Sequence, residues 1–136
     1  MNILHKTVNL NTEYGLIDIT QHIEQLVTEK TQMIHVFCAH TSASLCFCEG
    51  FDASVLDDLQ SFTQDLVSEK RSYIHSYEGP DDMPAHIRSV FTQTSVHIPV
   101  QDGKLLLGTW QKLFLWEHRK EQKTRSLIVS LYELEK

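Results

Sequence analysis

The chain has 136 residues, the size of one domain that can bury a hydrophobic core without disulfides. Apolar residues make up 41% and charged residues 22%, a composition that excludes an intrinsically disordered chain. Twelve Lys and Arg stand against 18 Asp and Glu, and this net charge of −6 disfavours nucleic acid and anionic membranes as partners. We therefore expect a single domain over residues 1–136.

The first third of the chain predicts strands around one short helix. Residues 2–19 alternate apolar and polar side chains on both sides of residues 11–13, which predicts a hairpin of two strands. Thr20 is a suitable N-cap for a helix. The buried face of that helix is predicted to hold Ile23, Leu26 and Val27. Residues 33–38 and 44–48 are short and largely apolar, and they predict two more strands.

Two longer helices are predicted in the middle of the chain. Asp52 is a suitable N-cap, and an apolar stripe at helical spacing follows it and is expected to face inward. The stripe consists of Val55, Leu59, Phe62 and Leu66. Pro84 suits the first position of the next helix, because its missing N–H would be unpaired there. The buried side of that helix is predicted to hold Ile87, Val90 and Phe91.

The last third predicts four strands, at residues 95–99, 104–109, 112–118 and 125–134. Asp102 and Gly103 form a preferred hairpin turn. Gly108 predicts a bulge or a close backbone approach. Because strands joined by short turns surround a few helices without regular alternation, the pattern favours an α+β fold built on antiparallel sheet.

The cysteines and the N-terminus favour a cytoplasmic protein. Cys38, Cys46 and Cys48 are close together and odd in number, which favours free thiols over disulfides. A small buried hydrophobe is the preferred role for Cys46 and Cys48, with metal ligation as the alternative. The first residues lack the pattern of a signal peptide, and no apolar stretch approaches about 20 residues. His35 and His97 alternate with apolar neighbours and are interpreted as structural sheet histidines.

Two polar groups of residues are candidates for a functional site, and the second of them suits a metal. His40, Thr41 and Ser42 follow a predicted strand at the rim of a sheet, with Glu49 next along the chain; the alternative is a simple turn stabilised by the hydroxyls. The second group lies within a dozen residues and mixes histidines with carboxylates, which suit Zn²⁺, Mn²⁺ or Fe²⁺. It contains His75, Glu78, Asp81, Asp82 and His86. The alternative for this group is a solvated acidic loop.

His86 and Glu117 add two more specific expectations. His86 falls in the first turn of the helix predicted to start at Pro84, where the helix dipole favours a neutral imidazole. Glu117 ends a strand face that also carries Leu113 and Leu115, so its carboxylate needs a partner. That partner is Arg119, a histidine or a metal; the alternative is an ion pair at the rim, which contributes little.

The motifs together resemble one family. They run from residues 40–43 through Glu49, residues 78–87 and residues 107–111 to residues 117–119, and so cover nearly the whole chain. On these motifs the chain resembles the YjbQ-like family, whose members often carry the name secondary thiamine-phosphate synthase. The resemblance implies a compact α+β protein with a mostly antiparallel, β-sandwich-like core, about three helices and a homotrimeric assembly.

The resemblance also implies a site and a reaction. The metal would be held by His40, His75 and His86, and zinc is the first choice, with manganese, iron or magnesium as alternatives. Catalytic residues around the metal would be Glu49, Asp82, Gln111, Glu117 and Arg119. Glu49 or Glu117 would act as a base or orient a ligand, and Arg119 would meet a small anionic substrate. The family usually has Asn where this chain has Cys48, and a thiolate there would favour softer metals.

The implied reaction joins a hydroxymethylpyrimidine diphosphate to a thiazole phosphate and releases pyrophosphate. Such a reaction needs a cation on the leaving group and groups that bind phosphate. The chain has no glycine-rich phosphate loop and no cluster of Lys and Arg near the motifs, where Arg88 and Arg119 are the candidates to bind phosphate. Two alternatives therefore stay open: a metal-dependent hydrolase or lyase with another substrate, and a non-catalytic trimer that binds a metal or metabolite.

Overall fold

The structure, a computed structural model, describes residues 1–135 as two antiparallel sheets with three helices. The elements in chain order are β1 Asn2–Thr12, β2 Gly15–Asp18, α1 Thr20–Glu24, β3 Thr31–Cys38, β4 Ala43–Glu49, α2 Ala53–Leu66, α3 Asp82–Phe91, β5 Ser95–Gln101, β6 Lys104–Leu105, β7 Gln111–Glu117 and β8 Lys123–Glu133. No helix within residues 1–135 is long and apolar enough to cross a membrane.

One hydrophobic core joins the two sheets. The larger sheet has the order β1-β8-β3-β5-β6 and the smaller one the order β2-β7-β4, with every pairing antiparallel. Inward side chains of both sheets belong to a single buried cluster, for example Val36 and Val129 from the larger sheet with Leu45 and Leu115 from the smaller. The predicted α+β class, the antiparallel sandwich-like core and the three helices are thus confirmed.

The N-terminal hairpin prediction is wrong. Both strands exist, but β1 pairs with β8 in the larger sheet and β2 pairs with β7 in the smaller one. The chain changes sheets after Thr12, whose hydroxyl is buried and lies 2.5 Å from Glu117 Oε1 and 3.1 Å from the Lys123 carbonyl. Gly15, at φ 114°, adopts a conformation that only glycine reaches without strain.

The first helix differs from the sequence prediction in its cap, and the second differs in its buried face. Asp18 rather than Thr20 accepts the hydrogen bond at the start of α1, from the Thr20 N–H at 2.9 Å. Asp52 does cap α2, because its side chain accepts from the Ser54 N–H at 3.0 Å. The apolar stripe of α2 does not face inward along its whole length, since Phe62 and Leu66 are 63% and 66% exposed.

The third helix buries its polar side. It begins at Asp82, two residues before Pro84, and its last apolar residues, Val90 and Phe91, are 81% and 78% exposed. The predicted buried side is therefore wrong for Val90 and Phe91, whereas Ile87 is half-buried. The reason is that two polar residues of α3 make hydrogen bonds in the protein interior. Asp82 accepts from Arg119, and Arg88 donates to the Val67 carbonyl at 2.9 Å.

The C-terminal turns are partly as predicted. Asp102 and Gly103 form the hairpin turn, with φ of 52° and 75°. Strand β6 covers only Lys104–Leu105 instead of residues 104–109. The close backbone approach lies at Gly50, where an added Cβ would come within 2.1 Å of Lys112 Cγ, and not at Gly108, where it would meet only ordinary contacts.

Candidate metal centre

A buried arginine organises the turn that precedes α3. Arg119, from the segment after β7, donates through Nε to Asp81 Oδ2 at 3.1 Å and through Nη1 to Asp82 Oδ1 at 2.8 Å. Its third nitrogen, Nη2, donates to the Glu78 carbonyl at 2.9 Å. Burial opposes ionisation of Asp81, but hydrogen bonds from the Lys120 N–H and from Arg119 outweigh it and lower the pKa of Asp81. The turn is therefore held in one conformation by charge-assisted bonds.

Two histidines meet the other oxygen of Asp82. Asp82 Oδ2 lies 2.7 Å from His75 Nε2 and 3.2 Å from His86 Nε2. One ligand atom from each of these residues lies within 4.8 Å of the others, and no other such group of three occurs within residues 1–135. Asp82 and His86 are four residues apart on α3, so helical geometry alone places them on one face.

The chemistry of this cluster fits a divalent cation. Ligand bonds of about 2.1 Å bring neighbouring ligand atoms to roughly the separations found here. His86 Nδ1 donates to the Thr41 carbonyl at 2.9 Å, which fixes the ring so that Nε2 is the nitrogen facing Asp82. Asp81 and Asp82 together outweigh the one charge of Arg119, which leaves a net negative environment. His86 lies in the second turn of α3 rather than the first. The helix dipole, which was expected to favour a neutral imidazole, therefore has little effect at this position.

His40 is not brought into the cluster. Its Nε2 accepts a hydrogen bond from the Ser126 N–H at 2.8 Å, which occupies the lone pair that a metal would need. Burial, reinforced by the charge of Arg125, lowers the pKa of His40, so the ring stays neutral. His40 and His86 nevertheless line one groove of about 580 Å³, together with Thr41 and Val90.

Glu49 and Gln111 lie at the opposite end of the smaller sheet. They pair with each other across β4 and β7, whereas Ala43 and Glu117 pair at the end near the cluster. Six residues of strand separate the two ends, which corresponds to about 20 Å. The structure therefore does not bring these two predicted catalytic residues to His75 and its neighbours within one copy of the chain.

Glu117 has a structural partner that the sequence analysis did not single out. As predicted, it shares the inner face of β7 with Leu113 and Leu115, and it is fully buried. Its carboxylate accepts from Arg125 Nε at 2.7 Å and from Arg125 Nη2. Arg119 contributes only its backbone N–H, at 3.1 Å. The signal for Arg125 was present, because it alternates with Leu127 and Val129 and so points inward from β8.

The cysteines do not contribute to the cluster. Burial raises the pKa of Cys46 to about 12 and that of Cys38 to about 11, and it also raises the pKa of Cys48. These thiols therefore stay protonated near neutral pH and are poor metal ligands. Cys48 precedes Glu49 at the far end of the smaller sheet, away from the cluster.

One histidine outside the cluster, His118, is fully buried. Its Nε2 lies 2.9 Å from Ser44 Oγ. Burial, with smaller effects from the positive charges of Arg88 and Arg125, lowers the pKa of His118 to about 3. The folded chain therefore keeps this ring neutral at any pH at which the protein is normally handled.

This histidine makes the stability depend on pH. An unfolded histidine, with a pKa near 6.5, binds a proton between about pH 6.5 and 3 that the folded chain does not bind. The His118 contribution is thus fully present above pH 6.5 and falls by about 1.4 kcal/mol per pH unit below it. Urea unfolding at pH 7.5 to 4.5 is expected to show the wild type losing stability faster than His118→Gln. Parallel pH dependences of the two proteins would contradict this expectation.

The fold and the cluster define a class: a two-sheet α+β protein with two histidines and one carboxylate at the start of a helix. The family model described as UPF0047 protein YjbQ-like matches residues 5–134. The chain therefore belongs to the YjbQ-like UPF0047 family, as the motifs predict.

Individual relatives agree with this assignment. The UPF0047 protein sll1880 from Synechocystis is 56% identical over 101 residues, which are 74% of this chain and 69% of that protein. YjbQ from Salmonella typhimurium is 40% identical over 114 residues, or 84% and 83% of the two chains. The crystal structure of a YjbQ/UPF0047-family protein from Clostridium acetobutylicum aligns with a TM-score of 0.84 at 30% identity, over 93% of this chain and 99% of that one.

Proposed function

We propose that the chain binds one divalent metal ion through His75, Asp82 and His86 and acts as a metal-dependent enzyme on a small anionic molecule. The observation that carries the proposal is the convergence of two imidazole nitrogens on one oxygen of a buried carboxylate. Arg119, by holding the other oxygen of Asp82, orients that carboxylate as a ligand. His75 is partly exposed, so the site is open to a substrate on one side.

Zinc is the first choice among the metals. Two imidazoles and one carboxylate suit zinc, and the same set suits iron or manganese, whereas magnesium prefers oxygen ligands throughout. Three protein ligands leave at least one coordination position free. When bound there, such an ion stabilises negative charge on a phosphoryl or carbonyl oxygen and lowers the pKa of water.

Arg71, rather than Arg119, is the cation available to an anionic substrate. All three guanidinium nitrogens of Arg119 donate to protein oxygens, and its side chain is only 8% exposed. Arg71 is exposed and lines a groove of about 600 Å³ with His75, Tyr77 and Met83. A phosphate or carboxylate in this groove would contact Arg71 while its reacting end lies beside His75.

Two reactions are consistent with this site. The thiamine-phosphate-synthase reaction needs a cation at the leaving pyrophosphate, and a metal held by His75, Asp82 and His86 would supply that charge. Hydrolysis or lyase chemistry on another anionic substrate is favoured by a specific observation. Glu49 and Gln111, expected around the synthase site, lie about 20 Å along the smaller sheet from the Ala43–Glu117 pair, which is the end near the cluster. A free metal position that activates water needs neither of them.

The test is turnover by the metal-loaded, tag-free protein. Pyrophosphate release from the pyrimidine diphosphate and thiazole phosphate pair is measured beside a panel of phosphoesters, lactones and amides. Activity is expected to disappear on chelation and in His86→Ala and to persist in the matched control His22→Ala, an exposed histidine on α1. Arg71→Ala is expected to raise KM more than it lowers kcat. Turnover unaffected by chelation or by His86→Ala contradicts the proposal, and metal binding without any turnover indicates a binding module.

The assembly of the chain and its cellular location are independent of the proposed metal chemistry. The homotrimer implied by the family resemblance and the cytoplasmic location stay predictions.

A further inference from the structure

The connection between β3 and β4 carries the chain from the larger sheet to the smaller one. Residues 39–42 form this β3–β4 connection, and they include the histidine and the two hydroxyls of the first polar group in the sequence. Ala39 and Thr41 are exposed, whereas Ser42 is buried. Because the segment belongs to neither sheet, its conformation depends on the groups that hydrogen-bond to it from outside.

His40 holds the first half of the β3–β4 connection against the larger sheet. The last residue of β3 that pairs with β8 is Cys38, opposite Leu127, so Ser126 lies one residue beyond the end of β3. His40 Nε2 accepts the Ser126 N–H there at 2.8 Å. The imidazole thus takes the place of a further β3 carbonyl and satisfies a partly buried backbone donor that would otherwise lack a partner.

Buried groups hold the second half of the β3–β4 connection. Arg125 Nη2 donates to the Ser42 carbonyl at 3.2 Å and to Ser42 Oγ at 2.9 Å. The His118 N–H donates to the same carbonyl at 3.3 Å. Thr41 therefore lies between two neighbours, His40 and Ser42, that are each hydrogen-bonded to other parts of the fold.

The carbonyl of Thr41, held in this way, contacts the proposed metal centre. His86 Nδ1 donates to it at 2.9 Å, while His86 Nε2 lies 3.2 Å from Asp82 Oδ2. Ser89, three residues further along α3, donates to the Ala43 carbonyl at 3.2 Å, so the helix meets the connection at two points. The bond at His86 Nδ1 is exposed to water. Its strength therefore depends on an acceptor that is already in position.

We infer that His40 is a positioning residue: by fixing the β3–β4 connection, it holds the Thr41 carbonyl that orients His86. This role rests on the proposed binding of a metal by His86. Changes to groups that orient a ligating histidine cost about 10–100-fold in metal affinity, and His40 acts through one further bond, so its effect lies at the lower end of that range. The role also accounts for a histidine that lines one groove with His86 although its own lone pair is occupied.

The test is zinc affinity at pH 7.5, measured by competition with a chromophoric chelator, with urea unfolding to establish that each variant folds. His40→Ala removes the acceptor and is expected to weaken zinc binding by about tenfold. His40→Gln keeps an oxygen that can accept from Ser126, and its affinity is expected to stay within about threefold of the wild type. His22→Ala, at an exposed histidine on α1, is the control and is expected to bind zinc like the wild type.

Nuclear magnetic resonance distinguishes positioning from a general loss of stability. The observed signal is the Nδ1–H of His86 in the zinc-loaded protein with isotope-labelled histidine, assigned by its absence in His86→Ala. In His40→Ala this proton is expected to exchange with water at least about threefold faster than in the wild type, because the carbonyl that accepts it is no longer fixed. In His40→Gln the exchange rate is expected to match that of the wild type.

Three results would overturn the inference while leaving the metal centre intact. They are wild-type zinc affinity in His40→Ala, equal losses in His40→Ala and His40→Gln, and a loss of affinity with an unchanged exchange rate at His86. A wild type that binds no zinc overturns the metal centre and this role together. The expected pattern of affinities in a protein without turnover supports the positioning role and contradicts only the enzymatic part of the proposed function.

Discussion

Asp82→Asn is expected to weaken zinc binding by about 100-fold or more. The substitution keeps the shape of the side chain but removes the negative charge from the oxygen that both His75 and His86 approach. Changes to groups that merely orient ligands cost about 10–100-fold in metal affinity, so the loss of an anionic ligand is expected at or beyond the upper end. Competition with a chromophoric chelator at pH 7.5 measures the affinity.

Asp81→Asn is the matched control for this change. Asp81 is the neighbouring carboxylate and also accepts from Arg119, but it is not one of the three proposed ligands. We expect it to cost no more than about tenfold in affinity. Equal losses in the two variants would mean that the charge of the turn, rather than a ligand, controls binding. Equal affinity in Asp82→Asn and wild type would remove Asp82 from the ligand set.

Glu117→Gln is expected to lower the free energy of unfolding by about 3–5 kcal/mol. It leaves Arg125, only 5% exposed, without the carboxylate that accepts two of its hydrogen bonds, and an unpaired buried charge carries a cost of this size. Urea unfolding at pH 7.5 measures the change. Because Glu117 contacts none of the three proposed ligands and meets Arg119 only at its backbone N–H, the folded variant is expected to bind zinc with unchanged affinity.

Glu121→Gln is the control, since Glu121 pairs with Lys123 at the surface and is 65% exposed. Its effect is expected to stay within about 0.5 kcal/mol. Similar stability changes in the two variants would contradict the structural role of the buried pair. A Glu117→Gln protein that is stable but has lost zinc would restore Glu117 to the metal site, as the sequence analysis expects.

The sequence predicts those parts of the fold that depend on local patterns. Alternation locates most strands, and the Asp52 cap and the turn at Asp102 and Gly103 are found because short-range chemistry determines them. The separation of β1 and β2 into two sheets depends instead on which distant strands they pair with. The prediction that the apolar residues of α2 and α3 are buried fails for a similar reason. Helical periodicity identifies an apolar face but does not show what covers it.

The contrast between local patterns and long-range strand pairing also explains which predicted site residues come together. His75, Asp82 and His86 lie within twelve residues, so a turn and one helix suffice to bring them together. His40 and Glu49 depend on β4 and on its register with β7, which directs Glu49 to the far end of the sheet. Likewise, the sequence shows that Glu117 needs a partner, but only the pairing of strands determines that Arg125 supplies the side chain.

The most direct test of the metal centre is the metal content of the tag-free protein after loading with zinc and removal of the excess. Elemental analysis is expected to find about one zinc per chain in the wild type, in His22→Ala and in His40→Gln, whose amide oxygen can still accept from Ser126. His86→Ala is expected to retain little. Zinc in His86→Ala at the level of the wild type, or a wild type that takes up no zinc, manganese or iron, would contradict the account.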